Sequence, residues 1–175
     1  MNEVIKNLKE RRSFRKYKAD MLPENIINQI VEAGLYAPSA NGEQKSLIVV
    51  VTNRAIRDEL AEMNRKIAGW KEGVDPFYGA PVVLIVLSDK TGHAPVCDGS
   101  LVMGNLMIAA HALGIGSCWI HRAKEEFATE RGKEILKELG VAGDYEGIGH
   151  CILGIPNEKT PKAAVRKNGR VFFLR

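Results

Sequence analysis

A dense group of cationic side chains lies near the start of the chain, in Arg11-Arg12-Ser13-Phe14-Arg15. Arginine presents a planar fork of N–H donors that matches the oxygens of a phosphate, and a serine hydroxyl adds another donor. In an extended backbone, Arg11, Ser13 and Arg15 share one face and can contact the same anion. A solvated basic stretch explains these residues about as well, because short basic runs are common. The segment alone therefore leaves both interpretations open.

Two further segments have the residue types needed to contact a flat ligand. The loop Pro38–Gln44 contains small and amide-bearing residues whose backbone and side-chain groups can hydrogen-bond to a heterocycle, although by itself it reads as an ordinary loop. The segment Gly114–Arg122 begins with glycines that allow close approach of a ligand. It follows a helix and lacks the G-x-G-x-x-G pattern, so the dinucleotide-binding fingerprint is absent. The alternative interpretation is a helix end followed by a core strand, with no role in ligand binding.

Other kinds of site have little support in the sequence. The tail residues Lys162, Arg166 and Lys167 form an ordinary solvated segment unless the tail folds back onto the first arginine cluster. No serine lies in a nucleophile elbow, and His93, Cys97 and Asp98 lack a recognisable zinc spacing even with His150-Cys151 added. We therefore predict neither a metal site nor a catalytic side chain that acts as a nucleophile.

Composition limits the class of protein. The chain has 175 residues, of which 45% are hydrophobic and 26% charged, as expected for one globular domain over residues 1–175. The net charge of +4 is not concentrated in one block and aromatic residues are only 6%, which favours anionic ligands over nucleic acid. An apolar run of about 18 residues and a signal-peptide core are both lacking, so we expect a cytoplasmic protein without a membrane partner. The three cysteines are expected to be buried apolar residues.

Hydrophobic periodicity predicts alternating helices and strands, and therefore an α/β or α+β fold with a small central sheet. The apolar residues of the helix over 98–113 lie on nearly all sides, so we expect it to be buried on most of its surface. A terminal strand over 171–174 must pair with something, and one hypothesis is the sheet of a second subunit. The predicted helices are 3–10, Pro23 to Pro38, 54–68, 98–113 and one or two within 125–139, and the predicted strands are 47–51, 82–87, 117–120, 149–153 and 171–174.

Taken in order, these segments resemble the FMN-dependent nitroreductase family over nearly the whole chain. The resemblance rests on R-R-S-F-R-K-Y, L-Y-A-P-S-A-N-G-E-Q, A-P-V-V-L-I-V, D-G-S-L-V-M-G-N-L-M-I-A-A-H-A-L-G-I-G-S-C-W-I-H-R-A-K-E, and G-H-C-I-L-G-I-P before a basic tail. Each piece alone is a weak signal, and their common order is a strong one.

The resemblance implies an α+β fold of three layers, α/β/α, with a central mostly antiparallel or mixed sheet. It also implies an obligate homodimer with two FMN sites at the subunit interface. The implied FMN contacts are Arg11, Arg12, Ser13 and Arg15 near the N-terminus; Lys162, Arg166 and Lys167 at the phosphate; Pro38, Ser39, Ala40 and Gln44 from the partner's loop; Trp119, Ile120, His121 and Arg122 beside the ring; and, by a looser match, Asn64.

The activity implied by the resemblance is hydride transfer from NAD(P)H to FMN and then to a nitroaromatic, a quinone or a related small oxidant. Arg122 is a candidate for the positive charge near the reduced flavin. Many relatives have an acidic residue or glycine where His121 and Arg122 stand, and the chain is short where substrate pockets form, so the oxidant stays open. Alternatives are specialised flavin chemistry, such as dehalogenation or flavin breakdown, and a non-enzymatic flavin carrier.

Overall fold

A four-stranded antiparallel sheet lies at the centre of the computed structural model, which describes residues 1–175. In chain order the elements are α1 (Glu3–Glu10), α2 (Glu24–Leu35), a short 3-10 turn (Ala40–Gly42), β1 (Ser46–Val51), α3 (Arg54–Ile67), β2 (Val82–Asp89), α4 (Pro95–Ala112), β3 (Gly116–Ile120), α5 (Ala123–Ala128), α6 (Glu130–Glu138) and β4 (Tyr145–Gly154). The strand order is β1-β2-β4-β3, and every neighbouring pair is antiparallel.

Helices cover both faces of this sheet, which explains the unbroken apolar run of its central strand. Residues 82–87 of β2 are all fully buried, because a strand covered on both faces has no polar side to alternate with. One core lies between the sheet and α2 and α4. A second core lies between the opposite face and α3, α5 and α6. The predicted three-layer α+β fold is confirmed.

The long helix α4 differs from its prediction at its start. It begins at Pro95 rather than at Asp98, because proline fits the first turn of a helix, where its missing N–H is not needed. Most of its residues are buried or half-buried, as expected, but Leu101 is 47% exposed, and a Cβ at Gly104 would meet no atom within 4 Å. One face of α4 is therefore uncovered.

The C-terminal residues also depart from their prediction. Residues 171–174 form no strand, and the side chains of Phe172 and Phe173 are 87% and 73% exposed. A strand exists only through its pairing, and the tail pairs with no edge of its own sheet. Cys97 is exposed, contrary to expectation, whereas the other two cysteines are buried. No helix has the length and apolar character needed to cross a bilayer.

Gly147 allows β4 to pass directly beneath the start of α5. A Cβ built at this position would overlap the backbone carbonyl of Ala123, which cannot rotate away as a side chain can. We predict that Gly147→Ala lowers the free energy of unfolding by about 1–3 kcal/mol, the usual cost of overpacking. Urea denaturation would measure this change.

Gly116→Ala is the matched control on the neighbouring strand. Its Cβ would lie no closer than 3.0 Å to any atom, and that nearest atom belongs to the side chain of Pro156. We expect a smaller loss, and equal losses in the two variants would contradict the assigned role of Gly147.

Candidate functional site

The arginine-rich segment lies along the free edge of β3. Ser13 forms a parallel bridge with Ser117, and the Phe14 N–H donates to the Ser117 carbonyl at 3.1 Å. The side chains of Phe14 and Tyr17 are buried, which fixes the segment to the core. The tertiary structure therefore brings the first predicted segment, around Ser13, into contact with the strand that contains the third, around Trp119.

The guanidinium groups of this segment lack carboxylate partners. None of Arg11, Arg12 and Arg15 forms an ion pair within the chain, and Arg11 Nη1 is buried without any hydrogen-bond partner. Arg12 Nη1 instead donates to the backbone carbonyls of Lys9 and Arg11, at 2.8 and 2.6 Å. A buried, unpaired N–H of a charged group is costly, and an anion oxygen would relieve that cost at Arg11.

Cys118 follows Ser117 on β3, and its thiol responds to the charges of the arginine segment. Burial raises the pKa of Cys118, while the nearby charges of Arg15 and Arg11 and a hydrogen bond from Ser13 oppose that rise. Arg15 itself is exposed, and its backbone N–H donates to Glu158 Oε1 at 2.6 Å. The arginine segment therefore adds positive charge near this part of β3, and the convergence of Arg11, Ser13 and Arg15 on one anion stays a prediction.

The segment Trp119–Arg122, here called the ring-side segment, leaves β3 through a turn at His121-Arg122, here called the ring-side turn. The indole of Trp119 lies against Gly149, where any Cβ would overlap its nitrogen, and that nitrogen is buried without a partner. His121 is exposed. Arg122 adopts the left-handed conformation at φ 84° and ψ 0°, which favours glycine. Its guanidinium Nη1 lies 2.9 Å from Glu125 Oε1, so its charge already has a partner.

An open cleft of about 510 Å³ lies beside this turn. Val96 and Ser100 of α4 form one wall, and Trp119, His121 and Arg122 form another. The backbone N–H groups of His121 and Arg122 donate to no acceptor within the chain. The cleft thus combines an aromatic wall with free hydrogen-bond donors.

The Pro38–Gln44 loop is held by α4 and not by the arginine segment. The Ala40 N–H donates to Asp98 Oδ1 at 3.0 Å, and the Gln44 N–H donates to Ser39 Oγ at 2.9 Å. Gln44 has a left-handed backbone, with φ 51°. Within one chain, no hydrogen bond joins this loop to Arg11–Arg15 or Trp119–Arg122, so the structure does not bring it to the other two segments.

The basic tail residues also lie apart from the arginine segment in the single chain. Lys162, Arg166 and Lys167 are exposed, and the one hydrogen bond among them runs from Arg166 Nε to the Ala164 carbonyl, at 3.2 Å. Of the tail, only Glu158 near its start contacts the arginine segment, where it accepts from the Arg15 N–H. The predicted roles of these three side chains at a phosphate stay predictions.

Asn64 lies behind the ring-side turn and is 2% exposed. Its Nδ2 donates to the His121 carbonyl at 2.8 Å and to Glu126 Oε1 at 2.6 Å. Sequence reasoning missed Glu126, because it stands in the charged run Lys124-Glu125-Glu126, which is typical of a solvated surface. It also missed Asp98 as the residue that holds the loop at Ala40.

These features define a class of site before any comparison. The buried, unpaired Nη1 of Arg11 can donate to an anionic group, and the cleft lined by Trp119, His121 and Arg122 combines an indole with free N–H donors, which suit a flat polar ring. A ligand that carries both a phosphate and a heterocycle has the two groups that these features can bind.

The chain belongs to the nitroreductase family, whose model matches residues 8–155. A relative from Archaeoglobus fulgidus, provisionally named an NADH dehydrogenase/NAD(P)H nitroreductase, is 30% identical over 164 residues, which are 91% of this chain and 88% of that protein. One from Methanothermobacter thermautotrophicus with the same name is 35% identical over 67% of this chain, which spans 60% of its length. A nitroreductase of Bacteroides fragilis solved with bound FMN superposes with a TM-score of 0.91 at 28% identity, covering 100% of both chains.

The arginine segment should be detectable through its effect on His111, near the end of α4. Partial burial and the positive charges of Arg11 and Arg12 hold the pKa of His111 below its ordinary value, and the negative charge of Glu10 partly opposes them. A proton on this imidazole would add a positive charge beside two others. We predict that Arg11→Gln raises the pKa of His111, measured by an NMR titration of its ring protons.

Glu10→Gln is the opposite control, because it removes a negative charge near the same imidazole. This variant should lower the pKa of His111 further. Shifts in the same direction for both variants would show that Arg11 does not act on His111 through its charge.

Proposed function

We propose that residues 1–175 form one FMN-binding domain of an NAD(P)H oxidoreductase that reduces nitroaromatics, quinones or related small oxidants. The observation behind the proposal is the unpaired, buried Nη1 of Arg11 in a cluster without carboxylate partners. Family membership supports the cofactor, since the similar Bacteroides fragilis protein was solved with FMN. A relative from Bacillus subtilis, 26% identical over 93% of this chain, is named an FMN reductase that uses NAD(P)H.

Arg11, Ser13 and Arg15 would hold the FMN phosphate. Arg11 has a buried N–H donor without a partner, Ser13 is fixed by its bridge to Ser117, and Arg15 is an exposed cation two residues further along the same segment. Hydrogen bonds between ionised partners are about twice as strong as neutral ones, so this group would contribute much of the affinity. Arg12 would add positive potential from the end of α1, where its Nη1 is already bound.

The turn after β3 would hold the ring. Trp119 would offer an aromatic contact, while the free N–H groups of His121 and Arg122 would donate hydrogen bonds to the ring edge. FMN, when bound, would supply the chemistry for hydride transfer between NAD(P)H and the oxidant, in the ping-pong order proposed here. Donors fixed at the edge would stabilise the negative charge that the ring gains on reduction. The guanidinium of Arg122 is paired with Glu125, so the backbone N–H is the better candidate for that role.

We further propose a homodimer in which each subunit completes the other's site. The uncovered face of α4 and the apolar side of α1, where Ile5 is 49% and Leu8 47% exposed, would form the interface. The Pro38–Gln44 loop, which touches neither other segment in its own chain, would then contact the partner's FMN. The tail over 169–175 would pair with the outer edge of the partner's β1, which is unpaired in the single chain.

Anaerobic mixing of the purified protein with FMN and then with NADH or NADPH tests the proposed activity. We expect the flavin absorbance to bleach with at least one nucleotide and to return when a quinone is added. A protein that binds FMN but is bleached by neither nucleotide would be a flavin carrier. A protein that does not bind FMN would overturn the proposal.

Arg11→Ala should weaken FMN binding about 10- to 100-fold, because a hydrogen bond to a charged group is worth about 1.5–3 kcal/mol. Fluorescence titration of FMN with the protein would measure the change. Arg54→Ala is the matched control, since Arg54 is an exposed arginine of α3 paired with Asp58. Equal affinities for the Arg11 variant and the unchanged protein would exclude Arg11 from the phosphate site.

Deletion of residues 169–175 should weaken or abolish the dimer, because it removes the proposed strand with its apolar residues Val171–Leu174. Mass in solution over a dilution series would show the change. Phe172→Ser, a substitution within the same tail, should have an intermediate effect. A dimer unchanged by the deletion would exclude this role of the tail.

A further inference from the structure

Three buried polar side chains form a connected network behind the ring-side turn. Asn64 of α3 is 2% exposed, and Glu126 of α5 and His150 of β4 are fully buried. Asn64 Nδ2 donates to Glu126 Oε1 at 2.6 Å, and His150 Nε2 lies 3.0 Å from Glu126 Oε2. Both carboxyl oxygens of Glu126 are therefore engaged. Burying such groups is costly unless each has partners, so the network needs an explanation beyond packing.

The network reaches the cleft through one peptide bond. The second hydrogen bond from Asn64 Nδ2 goes to the His121 carbonyl, at 2.8 Å. In a trans peptide the C=O and the following N–H point in opposite directions, and no cis peptide is present. Because the His121 carbonyl points inward to Asn64, the Arg122 N–H points away from the network. That N–H has no acceptor in the chain, and both residues line the cleft.

Glu126 determines which way the Asn64 amide faces. A carboxylate offers only acceptors, so it requires the NH₂ end of an asparagine amide. That same NH₂ end then has one hydrogen left for the His121 carbonyl. His150 supports Glu126 from the other side, and the ring of Phe77 packs against His150 with centroids 5.2 Å apart. With its proton on Nε2, His150 donates to Glu126 and leaves only a bare lone pair buried at Nδ1.

We propose that Glu126, acting through Asn64 and supported by His150, is a positioning residue that fixes the His121–Arg122 peptide with its N–H toward the flavin. The proposal rests on the FMN site proposed above. The left-handed backbone of Arg122 is consistent with it, because a strained conformation persists only where its surroundings impose it. Gly147 contributes as well, since its missing Cβ lets the start of α5 lie against β4.

Glu126→Gln is the first test, because it keeps the shape of the side chain and removes its acceptor-only character. We expect FMN to remain bound through Arg11 and Ser13, which lie outside the network. The two-electron midpoint potential of the bound flavin should fall by about 30 mV, which corresponds to a tenfold loss in relative stability of the reduced form. For the nucleotide half-reaction, kcat should fall while KM changes little, because the fixed donor acts on the reaction and not on nucleotide binding.

Asn64→Leu is the second variant, since it removes the donor to the His121 carbonyl and keeps the number and branching of the side-chain heavy atoms. Ile152→Val is the control for general destabilisation: Ile152 is a fully buried residue two positions from His150 on β4. The control should lower the melting temperature and leave the potential unchanged. A potential within a few millivolts of the unchanged protein in both folded network variants would overturn the proposal.

A measurement without cofactor separates this proposal from the FMN proposal. In the FMN-free protein, the amide ¹⁵N–¹H resonance of Arg122 should move in Glu126→Gln and in Asn64→Leu, and stay in place in Ile152→Val. If the unchanged protein does not bind FMN, the proposed function is refuted and the positioning role of Glu126 is not. An Arg122 resonance that stays in place in both network variants would refute the positioning role, whatever the protein binds.

Discussion

The bridge between Ser13 and Ser117 is the contact on which the rest of the site depends. It joins a segment next to the N-terminus to a strand more than a hundred residues later, and so sets three arginines against the edge of the sheet. Buried Phe14 and Tyr17 hold the segment there, at the expense of exposing the intervening cationic side chains. Without this docking, Arg11 would be a solvated charge, and no cationic, anion-binding group would lie beside the strand that contains Trp119. The site is therefore a product of tertiary pairing and not of a local motif.

The central sheet and most helices could be predicted from the sequence because their signals are local. The continuous apolar run at 47–51 predicts a strand, although β1 lies at the sheet edge with Val50 43% exposed. Asn53 caps α3, accepting from the Ile56 N–H. Residues 171–174 form no strand within the single chain, because an apolar run indicates a tendency to pair and does not supply a partner. The prediction starts α4 at Asp98 and so leaves out Pro95, although proline suits the first turn of a helix.

The site was predictable in part, and the division has a physical reason. Residues with distinctive chemistry in a short run, such as Arg11 and Ser13, were recognised from their spacing and from the family resemblance. Glu126 was missed because its burial depends on three elements that meet only in the folded chain. Asn64 was expected to face the flavin, whereas its amide nitrogen holds the His121 carbonyl. Buried residues that position site residues through hydrogen bonds have no recognisable motif in a single sequence.

The unpaired guanidinium of Arg11 has a consequence for the amount of folded protein in a cell. A folded chain that buries a charged donor without an acceptor is less stable than one whose donor is satisfied. Any anion that fills the place binds the folded state alone, so it acts as a folding ligand. At a hundred times its dissociation constant, such a ligand adds about 2.7 kcal/mol to the free energy of unfolding. The supply of free cofactor would then set how many copies of the chain escape proteolysis, and the protein would accumulate only where it can be used.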